Sequence, residues 1–142
     1  MLGMLCLAIH DLRDLLVVAD VATAMSVEGL LGSDDVFAAD LHALRPQPGQ
    51  AVAAANIRTL MARSGIRESH RTQACTRVQD AYSLRCAPIV AGSARDTVDH
   101  AASVAGWELA SAAAKPDATP DGRGEGDSEF HATHVAHVHD FD

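Results

Sequence analysis

From about Leu5 to Leu31 the chain contains no proline, and Leu12, Leu15, Ala19, Ala22, Met25 and Gly29 recur at steps of three and four. Asp11, Arg13, Asp14, Asp20 and Glu28 take the polar positions between them. The spacing predicts one helix of about 27 residues, roughly 40 Å long. Helices of that length pack along partner helices, so the chain is expected to be all-α, part of a long-helix bundle. Gly29, Gly32 and the pair Asp34-Asp35 end the helix.

The remaining elements suit such a bundle. Arg45-Pro46-Gln47-Pro48-Gly49 marks a rigid turn. A second helix is expected from about Gln50 to Arg63, with Val52, Ala55, Leu60 and Met61 on its apolar side and Gly65 as its C-cap. Residues 66–77 read as a polar loop, either plain surface or the lining of a site that uses Ser69, His70 and Arg71. Pro88 suits a first helical turn. After it Val90, Ala94, Val98, Ala102, Ala105 and Leu109 form the clearest amphipathic pattern of the chain, with Arg95, Asp96, Asp99 and His100 on other faces. Trp107 is expected against another element. Hydrophobic residues make up 48% and aromatics only 4%, so the core is built from Ala, Leu and Val, which favours close helix packing over a β-sandwich. From Ala113 onward Pro, Gly and acid dominate, which divides the chain into a helical core at 1–112 and a flexible, acidic, His-rich end at 113–142.

A net charge of −8 argues against nucleic acid, whose phosphates need a surplus of Lys and Arg. The apolar start, Met1 to Ile9, stops at His10-Asp11; it lacks a basic leader and is too short to span a bilayer, so it reads as buried helix. Three cysteines, Cys6, Cys75 and Cys86, at no paired spacing point to a reducing cytoplasm.

One segment resists any apolar period. Arg77-Val78-Gln79-Asp80-Ala81-Tyr82-Ser83-Leu84-Arg85-Cys86-Ala87-Pro88 packs an amide, a carboxylate, a phenol and two guanidinium groups into a short run. In a helix Tyr82 and Arg85 share a face. Arginine clamps a carboxylate and tyrosine can hold or pass a proton, so the face suits an anionic small molecule. A polar turn with Arg85 in a surface ion pair accounts for the same residues.

In the order of its residues this segment resembles the active-site segment of the aromatic amino acid lyases, on their histidine ammonia-lyase branch. The resemblance takes in Ala19 to Ser26, Leu41-His42-Ala43-Leu44-Arg45-Pro46-Gln47-Pro48-Gly49-Gln50 and Ile66-Arg67-Glu68-Ser69-His70-Arg71, and fades after Ala112. It implies a mostly helical tetramer with sites shared between subunits. It also implies elimination of ammonia from L-histidine to give urocanate, in histidine catabolism, with the electrophile 4-methylideneimidazol-5-one (MIO) made from an Ala-Ser-Gly triad. By resemblance Tyr82 is the catalytic tyrosine beside that electrophile, Arg85 holds the substrate carboxylate, Gln79 belongs to the same pocket, and Phe130 and His131 lie near the prosthetic group.

The departures shape a second expectation. No Ala-Ser-Gly occurs in the chain; the Gly-Asn expected before Phe130 reads Ser128-Glu129, and the Gly expected after His131 reads Ala132. The chain therefore reads as a central fragment of a lyase, inactive alone, forming an oligomer or joining a complementary lyase chain. The alternative is a non-catalytic helical remnant or assembly partner, with His131, His134, His137 and His139 as a candidate metal cluster.

Overall fold

The computed structural model describes residues 1–71, 78–111, 117–118 and 124–125. The order is α1 (Leu2–Gly29), a 3-10 turn (Asp35–Phe37), α2 (Ala39–Ala43), α3 (Pro48–Leu60), α4 (Gly65–Arg71), α5 (Tyr82–Arg85) and α6 (Ala87–Leu109). A short antiparallel pair, β1 (Asp117–Ala118) with β2 (Gly124–Glu125), matches Asp117 to Glu125 and Ala118 to Gly124. The all-α expectation holds, and the long first helix expected from about Leu5 to Leu31 is α1, 28 residues from Leu2 to Gly29. Among the described residues no helix is long and apolar enough to cross a membrane.

The chain divides into two compact units, and α1 and α6 contribute to both. The first comprises residues 1–11 and 98–142. Its buried apolar side chains are Leu5 and Ile9 of α1 and Val98, Ala101, Val104 and Ala105 of α6. The second, residues 12–97, has its core in Ala24, Val27, Phe37, Ile57, Met61 and Leu84, with Val36 against it. These residues come from α1, the 3-10 turn, the α3 end and α5. Phe37 and Ile57 are fully buried, a contribution of about 1.5–3 kcal/mol each.

The apolar stripes predicted from spacing are only partly the buried ones. On α1, Leu12, Leu15 and Met25 face outward, while Asp20, expected at a polar position, is 1% exposed. Its carboxylate Oδ2 accepts from Arg95 Nη2 at 2.5 Å and from Asn56 Nδ2 at 2.7 Å. The same Arg95 nitrogen donates to the Leu16 carbonyl at 2.9 Å. So α1, α3 and α6 meet at a charge cluster, and Arg95 is not on a free face. On α6, Val90 and Leu109 are exposed, as is Trp107 at 66%, against expectation. On α3, Val52 and Leu60 face outward and Gln50, Ala53, Ala54 and Ile57 inward.

Two junctions fix α3. Pro48 opens it at a position that needs no N–H, and Gly49 N–H is capped by Asp96 Oδ1 of α6 at 2.9 Å. Beside this cap the backbones of Gly49 and Gly92 touch so closely that a methyl on either would overlap the other strand of backbone. Buried His42 braces the preceding turn. Its Nε2 faces the Val36 carbonyl at 3.0 Å and its Nδ1 faces Gln50 Nε2 at 2.8 Å, which makes Nε2–H the donor and Nδ1 the acceptor.

Helix ends depart from the glycine rule. Gly32 N–H reaches the Val27 carbonyl at 2.7 Å and Leu31 N–H the Glu28 carbonyl at 3.1 Å, the paired bonds of a Schellman motif. The left-handed position is Leu31, with φ 53. After α3 it is Arg63, with φ 61, and Gly65 begins α4 instead of capping α3. Residues 66–71, expected as loop, are therefore helical.

Candidate active-site segment

Ahead of α6 the polar segment forms one helical turn, Tyr82–Arg85, with a bend at Gln79 and non-helical chain at Asp80 before it. Ala81 precedes the turn in an extended conformation, and its carbonyl accepts from Leu84 and Arg85 N–H at 3.0 and 3.2 Å. Cys86 N–H closes on the Tyr82 carbonyl at 2.9 Å, and α6 begins at the next residue. Pro88 sits buried in that first turn, as expected.

One turn of helix separates inside from outside. Leu84 enters the core with Phe37 and Ile57. Tyr82 and Arg85, three residues apart, stand together on the other face, the guanidinium carbon 5.1 Å from the ring centroid. Tyr82 is 68% exposed. Arg85 is half-buried, and its Nε is shut off from solvent without a hydrogen-bond partner. A buried unpaired donor costs about 1–3 kcal/mol.

The N-terminal end of the segment is tied across the fold. Asp80 Oδ2 accepts the Ser33 N–H at 2.6 Å. Ser33 lies in the turn after α1, where its hydroxyl donates to Asp35 at 2.8 Å. The same turn receives α4. Asp34 takes Arg67 Nε at 2.6 Å on one oxygen and Arg71 Nη2 at 2.7 Å on the other, and Arg71 also pairs with Glu68 at 2.9 Å. Burial raises the Asp34 carboxyl, but the hydrogen bonds from Arg71 and Arg67 outweigh it and hold the group below its ordinary value. The His70 ring lies between the Ile66 carbonyl at 2.7 Å and the Gly32 carbonyl at 3.2 Å. Carbonyls only accept, so a neutral ring donates to one of them at a time.

A cavity of about 210 Å³ opens between this turn, α4 and the segment; Ser33, Arg67, His70, Gln79 and Asp80 are among its lining. Gln79 thus faces the cavity, whereas Tyr82 and Arg85 are not part of its wall. Phe130, His131 and the cluster His131, His134, His137 and His139 lie outside the described residues. Among the described residues no group of three or more His, Cys, Asp or Glu side chains could hold a metal ion. The roles of Asp34 and Arg67 as the brace beneath the segment were not visible in the sequence, because ion pairs more than thirty positions apart leave no local period.

Residues 1–141 match the family described as aromatic amino acid lyase. Histidine ammonia-lyase of Streptomyces griseus is 55% identical over 141 residues, and that of Streptomyces coelicolor 52%; in both cases 99% of this chain is covered. The chain spans 27% of the length of these relatives. Among solved structures, the tyrosine aminomutase of Streptomyces globisporus superposes with a TM-score of 0.86 at 32% identity, over 99% of this chain and 30% of its own.

Proposed function

The chain belongs to the aromatic amino acid lyase family, and we propose that it is the central part of a histidine ammonia-lyase, supplying carboxylate- and proton-handling groups to a site completed by further lyase sequence. The observation that carries the reading is the Tyr82–Arg85 pair: an outward phenol with a guanidinium 5.1 Å from its ring centroid, on the turn whose Leu84 enters the core. The names of the curated relatives support L-histidine as the substrate.

Arg85 binds and orients the substrate carboxylate through its guanidinium. Tyr82 holds or moves a proton at its phenol oxygen. Gln79, at the cavity edge, offers an amide to the polar end of the substrate. When bound, 4-methylideneimidazol-5-one supplies the electrophile that makes ammonia a competent leaving group. The 142 residues contain no Ala-Ser-Gly to form it, so these side chains do not fit the group by themselves and no step is assigned through it. On this reading these 142 residues do not turn over substrate by themselves, and they work with lyase sequence that carries Ala-Ser-Gly. Cys6 and Cys86 are free, in keeping with a cytoplasmic setting.

The test is co-expression with a lyase chain that carries Ala-Ser-Gly and lacks this region. We expect urocanate formation from L-histidine that disappears with Tyr82→Phe. A stable complex without turnover would instead favour the non-catalytic assembly partner.

A further inference from the structure

We propose that Asp80 is the positioning residue of the Tyr82–Arg85 pair. Its carboxylate, by taking the Ser33 N–H across the fold, sets where the phenol and the guanidinium stand. The functional meaning of this placement rests on the lyase reading.

A single turn of helix does not hold its own shape, because nucleation costs more than one turn of hydrogen bonds returns. The geometry of Tyr82–Arg85 is therefore imposed from outside. On the C-terminal side Leu84 enters the core and α6 follows at once. On the N-terminal side Val78 is fully exposed and Gln79 is exposed, so neither anchors the chain. Asp80 does: its Oδ2 lies 2.6 Å from Ser33 N, a charge-assisted bond joining positions 47 apart in sequence.

The receiving turn is stiff. Gly32 N–H closes on the Val27 carbonyl at 2.7 Å, and Val27 is a core residue. The Ser33 hydroxyl bonds Asp35, and His70 lies against the Gly32 carbonyl. The carboxylate also packs closely against residue 32. A methyl there would come within 3.3 Å of Asp80 Oδ2 and 3.1 Å of Val27 Cγ1. Asp80 and Gly32 thus act on one contact from opposite sides, and both lie two or more residues from the groups they are proposed to place.

Tyr82 is the single tyrosine of the chain, so 3-fluorotyrosine gives one fluorine resonance that reads the ring and the guanidinium stacked on it. The experiment records this resonance, with the thermal unfolding midpoint, in wild type, Asp80→Ala, Gly32→Ala and the double variant. Val104→Ala, in the core of the other unit, serves as a control that lowers stability without altering the Asp80 contact. We expect Asp80→Ala and Gly32→Ala each to shift the resonance, the double variant to move it no further than the larger single change, and the control to leave it in place.

An unmoved resonance in a folded Asp80→Ala overturns the proposal, as does an equal shift in the control. Should Asp80→Ala fail to fold, Gly32→Ala decides by the same criterion. The readout is a ring environment and not turnover. Failure of the lyase reading would leave it standing, and its own failure would leave Tyr82 and Arg85 available to that reading with another residue placing them.

Discussion

Leu31 and Arg63 carry left-handed backbone at the ends of α1 and α3, a conformation that costs a residue with a Cβ about 1–2 kcal/mol relative to glycine. Glycines do stand nearby, at 32 and 65, and in the sequence they looked like the caps. Gly32 stands in a tight place for a different reason: a methyl there would lie 3.1 Å from Val27 Cγ1 and 3.3 Å from Asp80 Oδ2, so those neighbours would have to give way slightly. A glycine marks a constraint without saying whether that constraint is torsional or steric. Arg63 is exposed, so Arg63→Gly should raise stability by about 1 kcal/mol, measured as a higher urea midpoint at unchanged slope. Leu31→Gly should gain less, because it also removes a half-exposed apolar side chain. Asp34 makes a second residue-scale expectation. Its folded-state pKa is depressed below the ordinary 3.8, so its contribution is complete above that value and is lost as pH falls through the lower folded value. The stability gap between wild type and Asp34→Asn should therefore be largest near about pH 6 and close towards about pH 2; a gap constant over that window would contradict the Arg67–Arg71 brace. The adjacency of Tyr82 and Arg85 was legible because a three-residue step fixes a shared face once the run is helical. For Arg85→Gln in the complemented lyase assay, KM for L-histidine should rise about 10- to 100-fold, the loss of one or two charged hydrogen bonds.

The long helices were legible as elements and much less so as faces, while the short α2 and α4 were not read as helices. α1 is apolar around most of its circumference, so a three-and-four step can be drawn through it in more than one way. The stripe through Leu12, Leu15 and Met25 satisfies the period but looks outward, whereas the buried line passes through Asp20, which composition assigns to water. The charge cluster explains the inversion: Asp20 is admitted to the interior because Arg95 and Asn56 arrive from α6 and α3 to meet it. Removing one partner of a buried pair strands the other charge, so Arg95→Met should cost about 3 kcal/mol or more. The double variant Asp20→Leu/Arg95→Met should recover most of that loss, since two apolar groups leave no charge unpaired; equal destabilisation in the single and double variants would show that shape, not charge, governs the junction. At the neighbouring junction Gly49 and Gly92 have no such compensation. The atoms a methyl would meet are backbone and cannot swing away, so Gly92→Ala should lower stability by about 1–3 kcal/mol and detach the α3 cap at Asp96.

At the scale of the molecule, the outward stripe of α1 becomes an argument about association. Within the second unit Leu15 is 58% exposed and Met25 67%, with Val18 between them on the same face. Scattered apolar residues need no explanation, but a continuous line of them along a long helix marks a contact surface. The matched relatives are nearly four times the length of this chain, which spans 27% of them, so a helix suited to a larger bundle keeps the apolar face that the bundle would cover. We expect the isolated chain to self-associate reversibly, its sedimentation coefficient rising with concentration. Leu15→Glu combined with Met25→Glu should weaken that association by about tenfold or more, because each buried apolar side chain lost at a contact is worth about 1.5–3 kcal/mol. Helix content by circular dichroism should stay unchanged, since both side chains already face water in the single chain. A monomer at every concentration would mean that the face is satisfied within one chain. Association that ignores the two glutamates would place the contact on another surface. In either case this face of α1 would lose its standing as the surface through which the chain joins other copies or a complementary lyase chain.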